Sequence, residues 1–90
     1  MKSRVLVLGA SGMLGNAVYR FLSESEGYDV FGTLRSERSR KYFSESLQSK
    51  LISEVDGENM DTLIRVFGDT HPHVVINCIG LVKQLAEADD

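Results

Sequence analysis

Three glycines spaced three apart, in Gly9-Ala10-Ser11-Gly12-Met13-Leu14-Gly15, follow directly on the apolar run Val5 to Leu8. That spacing meets three separate needs of a turn that holds a pyrophosphate. The first glycine lets the chain turn sharply, the second has no Cβ to keep phosphate off the backbone, and the third lets a helix approach a sheet closely. Backbone N–H groups of Gly12, Met13 and Leu14, with Ser11 in the same turn, then face an anion at the positive end of a helix. A phosphate loop of the Lys-Ser or Lys-Thr type is excluded, because no such pair follows the last glycine. An ordinary glycine turn is the competing reading, and the place of the motif between a strand and a helix favours dinucleotide binding.

A second position bears on the same chemistry. Dinucleotide-binding sheets usually carry an acidic residue about 20 residues after the glycines, to accept hydrogen bonds from ribose hydroxyls. Twenty on from Gly15 stands Arg35 (15 + 20 = 35). A guanidinium there suits the 2′-phosphate of NADP and disfavours NAD; the alternative is a solvated basic loop. The neighbouring Arg38, Arg40 and Lys41 read first as such a loop, with assistance to Arg35 as the lesser reading.

Asp56 in Glu54-Val55-Asp56 is placed to accept from the exocyclic amino group of adenine, or is a plain turn or capping aspartate. Asn77-Cys78-Ile79-Gly80 ends the last strand on the same edge, and Gly80 lets the backbone pass close to a cofactor ribose. Cys78 reads as a buried apolar thiol that lines the site, not as a nucleophile, since no partner base is visible. His71 and His73 flank Pro72 at the opposite edge of the sheet and read as solvated loop histidines, too few for a metal site.

Elements of a definite kind must position these groups. Residues 4–9 form a short β-branched run without alternation, the pattern of a strand buried on both faces of a parallel sheet. Leu14, Val18, Phe21 and Leu22 then predict an amphipathic helix from 13, closed near Gly27. Strands are expected at 28–34, 51–55 and 74–79, with a polar, irregular or shortly helical stretch over 36–48 anchored by Tyr42, Phe43 and Leu47. Asn59 caps a further helix whose apolar face is Met60, Leu63, Ile64 and Phe67, and a helix begins again at Leu81. The order β-α-β-α-β-α-β implies an α/β, Rossmann-like parallel sheet with strand order 3-2-1-4, the first half of a doubly wound domain.

Composition sets the frame. Ninety residues make one domain, and 42 % hydrophobic with 26 % charged residues is ordinary for a soluble globular chain. A net charge of -3 offers nucleic acid no general attraction, and the longest apolar run, Val5–Leu8, is far below the roughly 20 residues of a membrane span. One cysteine cannot form an internal disulfide, so a cytoplasmic setting is expected.

Gly-Ala-Ser-Gly-Met-Leu-Gly after Arg-Val-Leu-Val-Leu, then Gly-Thr-Leu-Arg, Val-Asp and Val-Val-Ile-Asn-Cys-Ile-Gly, resembles the amino-terminal part of extended short-chain dehydrogenase/reductases. The resemblance is closest to the dTDP-4-dehydrorhamnose reductase-like, sugar-nucleotide-modifying branch, and it covers essentially the whole chain. It implies that Gly9, Gly12 and Gly15 form the cofactor turn, with Met13 and Leu14 as pyrophosphate-facing backbone. It further implies Arg35 at the 2′-phosphate, Asp56 at adenine, and Ile79 and Gly80 as a wall. The family's Tyr-x-x-x-Lys pair is missing: Tyr19, Tyr28 and Tyr42 are followed four residues on by Ser23, Gly32 and Ser46. No catalytic residue is therefore expected here, and the chain reads as the NADP-binding first part of a longer reductase or epimerase acting on a nucleotide-linked sugar. The alternative is a non-catalytic dinucleotide-binding sensor or docking module. The apolar, uncharged strand 74–79 further predicts self-association of the isolated chain.

Overall fold

The computed structural model describes residues 2–79. It contains four strands, β1 (Ser3–Leu8), β2 (Tyr28–Thr33), β3 (Leu51–Ile52) and β4 (Val74–Asn77), and three α-helices, α1 (Met13–Ser23), α2 (Glu45–Gln48) and α3 (Met60–Thr70). A 3-10 helical segment, Glu37–Tyr42, precedes α2. The sheet is all parallel in the order β3-β2-β1-β4, as the alternation of strand and helix patterns implies.

Both faces of β1 are buried, and its side chains alternate between two cores. Val5 and Val7 face Tyr19 of α1, together with Val30, Leu34, Phe43 and Leu51. Leu6 and Leu8 face Val66 of α3, together with Val55. Burying each such side chain is worth about 1.5–3 kcal/mol, which explains why this strand is apolar without a period of two. Register carries the same division across the sheet: Val5 stands opposite Val30 and Val74, and Leu6 opposite Phe31 and Val75.

The fully buried helix residues are not those that simple periodicity selects, although Val18 and Leu22 of α1 pack partly buried on the core as expected. In α1 the buried positions are Gly15 and Tyr19, while Leu14 and Phe21 are exposed. In α3 they are Val66 and Thr70, with Leu63 partly buried and Met60, Ile64 and Phe67 exposed. The cause in α1 is the close contact at Gly15, which turns that face of the helix onto the strand. Tyr19 follows one turn later, its hydroxyl donating to the Leu47 carbonyl at 2.6 Å. Tyr42 is likewise exposed, so that of the three expected apolar anchors of the 36–48 stretch Phe43 and Leu47 pack on the core.

Boundaries differ where side chains or strain intervene. Helix α1 ends on Glu24 in right-handed geometry, not on Gly27. Strand β3 stops after two residues because Glu54 adopts a φ of 62°, a left-handed conformation that breaks an extended run. Arg65 of α3 holds that kink, donating to the carbonyls of Ser53 and Glu54. Val55 then returns to β2, its N–H donating to Leu34 O at 3.1 Å. Strand β4 ends at Asn77, so Cys78 and Ile79 lie just beyond it. Asn59 caps α3 as its sequence position implies, accepting from Asp61 N–H at 3.1 Å.

At the opposite edge the histidines are engaged. Nδ1 of His73 accepts from Arg4 N–H at 2.8 Å, and the His73 amide donates to the Arg4 carbonyl. The Arg4 guanidinium in turn reaches the carbonyl of His71, which caps α3 with a φ of 46°. Both histidines are exposed, as loop histidines are expected to be, and these bonds fasten the start of β1 to the α3–β4 turn. No helix among the described residues is long and apolar enough to cross a membrane.

Candidate functional site

The three glycines perform distinct tasks. Gly9 leaves β1 with a φ of 84°, a conformation that a side chain would strain. Two hydrogen bonds from β2 hold it there: Gly9 N–H donates to Thr33 Oγ1 at 2.9 Å and Ala10 N–H to the Thr33 carbonyl at 2.8 Å. Gly15 sits against this turn so closely that a Cβ would lie 1.9 Å from Gly9 O. Gly12 is different, since a Cβ there would meet only Gly9 O, at 3.6 Å.

That open position is also the N-cap of α1, where no side chain supplies a hydrogen bond. Ser, Thr, Asp or Asn would stabilise the helix start, and the protein has room for one. A glycine there leaves the backbone bare toward solvent. The Gly12 amide itself is spent on Gly9 O at 3.1 Å, which corrects the expectation that it points free. The N–H groups of Ser11, Met13 and Leu14 make no hydrogen bond to the described residues. They and the helix end behind them are suited to an anion.

A cleft of about 300 Å³ opens beside this turn at the carboxyl edge of the sheet. It is lined by Gly9, Ser11 and Gly12 from the first loop, Thr33 and Arg35 from the second, Val55–Glu58 from the third, and Cys78 and Ile79 after β4. Of the residues selected in the sequence, seven therefore meet: Gly9, Ser11, Gly12, Arg35, Asp56, Cys78 and Ile79. Met13, Leu14 and Gly15 do not line the cleft. The Met13 side chain is 92 % exposed, which leaves its amide as the group near the site, and Gly15 acts from behind by packing. Gly80 falls outside the described residues.

The cleft's charged groups are held unequally. Arg35 is exposed and forms no hydrogen bond or ion pair with the described residues. Asp56 is fixed from several sides: its Oδ1 accepts from Glu58 N–H at 2.9 Å, and its own amide donates to Thr62 Oγ1 at 3.0 Å. Thus Asp56 is in part a turn aspartate, and its second carboxylate oxygen makes no hydrogen bond to the described residues. Burial pushes the Cys78 thiol above its ordinary pKa, which disfavours the thiolate.

Arg40 takes no part in the cleft. It pairs with Glu37, Nε to Oε2 at 2.6 Å, and its Nη1 donates to the carbonyls of Gln48 and Leu51. The glutamate carboxylate keeps the guanidinium pKa up, against a smaller opposing effect of burial. The residue thus clasps the 3-10 segment to β3, and Lys41 lies over the Tyr42 ring. Sequence reasoning missed Thr33, Val55, Gly57 and Glu58 as lining residues. The adjacency of Gly57 to Asp56 in a loop was the available signal.

Residues 5–89 match the profile of the NAD dependent epimerase/dehydratase family, nearly the whole chain. The chain belongs to this family. The family binds NAD(P), and its match begins in β1, just before the glycine turn described above. Among curated proteins the chain is 35 % identical over 75 residues to methionine adenosyltransferase 2 subunit beta of Mus musculus. It is equally similar to the Rattus norvegicus protein of that name. Each alignment covers 83 % of this chain and 19 % of the relative, so the chain spans about a fifth of the length of these relatives. No solved structure matches it.

Proposed function

We propose that the cleft binds NADP and that the chain is the cofactor-binding portion of a reductase or epimerase acting on a nucleotide-linked sugar, of the dTDP-4-dehydrorhamnose reductase-like kind. One observation carries the cofactor reading: the bare Gly12 backbone, the exposed Arg35 guanidinium and the Asp56 carboxylate, on three separate loops, line one cleft. The Ser11, Met13 and Leu14 amides suit a pyrophosphate, Arg35 a 2′-phosphate, and the remaining Asp56 oxygen the adenine amino group. Cys78, Ile79 and Gly80 serve as the wall on the β4 side. The absence of an acid at position 35 favours NADP over NAD, since a carboxylate would repel the added phosphate.

Calorimetry of the 90-residue chain with NADPH and NADH tests this reading. NADPH should bind more tightly, by roughly the 1.5–3 kcal/mol of a charge-assisted pair, and Arg35→Ala should abolish the difference. Equal affinities in the parent chain would exclude Arg35 as the 2′-phosphate ligand.

A second reading is favoured by the names of the relatives, which describe a subunit of methionine adenosyltransferase. Here the domain binds a dinucleotide without turnover and docks onto another chain. The lack of Tyr-x-x-x-Lys within these residues agrees with either reading. A Tyr-x-x-x-Lys encoded downstream in the parent gene would decide for the enzyme. The exposed valines of β4 further support self-association of the isolated chain.

A further inference from the structure

Ile79 occupies an unusual place between two glycines on opposite sides of the cleft. A Cβ on Gly9 would lie 3.0 Å from Ile79 Cγ1 and 3.2 Å from its backbone nitrogen. A Cβ on Gly57 would lie 2.9 Å from Ile79 Cγ2 and 3.3 Å from Cδ1. Gly9 has a second reason to be glycine in its φ of 84°, but Gly57 has none: among the described residues only Gly9 is a glycine with positive φ. Space for Ile79 is what the third loop gains from having no side chain at 57.

The isoleucine is itself held firmly. Cys78 N–H donates to Leu8 O at 2.9 Å, which extends the pairing of β4 with β1 by one step. Asn77 Oδ1 then accepts from Ile79 N–H at 3.0 Å, a local side-chain turn that bends the chain over Gly9. Below, the side chain packs on the Leu6, Leu8, Val55 and Val66 cluster.

We infer that Ile79 is a positioning residue, a wedge between Gly9 and Gly57 that fixes the distance from the glycine turn to the 56–58 loop and thereby the width of the cleft. The inference rests on the reading that this cleft takes a nucleotide. It adds that Gly57, which has no side chain to offer a ligand, controls affinity through Ile79. A methyl at 57 would push Ile79 toward Gly9, where the backbone of Cys78 and Ile79 already closes the gap.

The test is a double-variant cycle in the 90-residue chain: Gly57→Ala, Ile79→Ala and both together, with NADP and ADP as calorimetric probes and the urea midpoint as the measure of stability. Gly57→Ala should weaken both probes by about tenfold or more, the scale of an overpacked contact converted to affinity. In the double variant the contact at 57 is relieved, because the two atoms nearest the new methyl, Ile79 Cγ2 and Cδ1, are gone and Ile79 Cβ lies at 3.6 Å. Its affinity should equal that of Ile79→Ala within about twofold, the error of additive sites. Losses that simply add would overturn the wedge, as would parent-like binding by Gly57→Ala. A parent chain that binds neither probe refutes the nucleotide reading, and the urea cycle then decides the wedge alone: relief of Gly57→Ala by Ile79→Ala supports it, additivity refutes it. Should Gly57→Ala not fold, folding of the double variant supports the wedge and failure of both overturns it.

Discussion

Thr33 and Gly9 are joined by a hydrogen bond of 2.9 Å from the Gly9 amide to the threonine hydroxyl, which together with the Ala10 N–H bond to the Thr33 carbonyl ties the end of β2 to the turn that leaves β1. Thr33 is almost wholly buried, with 1 % of its surface accessible. The residue thereby fixes a left-handed turn from a neighbouring strand.

Replacing it tests how far the turn depends on that contact. Thr33→Val keeps the shape and the β propensity but leaves the Gly9 amide without its partner, which should cost about 1–3 kcal/mol. Thr33→Ser, retaining the hydroxyl, should cost less. Urea unfolding of the two variants gives the comparison, and equal stability of Thr33→Val and the parent would show that the hydroxyl adds nothing to the Ala10–Thr33 backbone bond and the packing that hold the turn.

The glycines predict opposite outcomes according to what a Cβ would meet. Gly15→Ala places a methyl 1.9 Å from Gly9 O and should destabilise by about 3 kcal/mol or more, because backbone must move. Gly68, inside α3, has nothing within 4 Å of a built Cβ, and Gly68→Ala should stabilise by about 0.5–1 kcal/mol through helix propensity. Gly12→Ser is the informative third. It should leave folding unharmed or slightly improved by capping, while nucleotide binding measured by calorimetry falls. If Gly12→Ser bound as tightly as the parent, the bare backbone at 12 would have no role in ligand recognition.

Much of this site was legible in the sequence, for a physical reason: glycine spacing, the apolar run of β1 and the order of elements are all local signals. Arg35, Asp56, Cys78 and Ile79 could be placed because parallel strands bring their carboxyl ends to one edge. What could not be read was side-chain competition. Nothing local marks Arg40 as the clasp on Glu37, Gln48 and Leu51 while Arg35, five residues earlier, pairs with none of the described residues. Nor does periodicity reveal that Gly15 rotates α1 so that Tyr19 is buried and Phe21 is 74 % exposed. The kink at Glu54 depends on Arg65, eleven residues away, and it shortens β3 to two residues.

Tyr19 makes stability depend on alkaline pH. Burial raises its pKa from 10.0 to about 12, outweighing the Ser23 hydroxyl and the Arg40 charge, which both act to lower it. A group raised on folding contributes stability that is whole below its unfolded pKa and lost as pH rises through the folded value. The contribution of Tyr19 should therefore be intact up to about pH 10 and fade toward pH 12. Urea midpoints across that range, compared with Tyr19→Phe, isolate it from the titrating lysines. The variant loses the bond to Leu47 O at every pH, and its deficit should shrink as the parent ionises. A constant difference from pH 9 to 12 would mean that the phenol titrates alike in the folded and unfolded chain, its pKa not raised by folding.

The outer edge of β4 makes the last prediction. Among the described residues β4 pairs with β1 alone, and Val74 and Val75 on it are 49 % and 43 % exposed. By register Val75 stands beside Leu6, on the face of the sheet that α3 covers, and α3 also leaves Ile64 and Phe67 exposed. A β-branched edge without charge is a template for another strand, and one lysine on it is the common natural means of blocking such pairing. Val75→Lys should therefore lower self-association of the 90-residue chain while costing little stability, since a half-exposed position lets a lysine amine reach water. Sedimentation velocity over a range of concentrations measures both proteins. A parent chain that stays monomeric throughout, or a Val75→Lys variant that associates as strongly as the parent, would remove β4 as the associating edge.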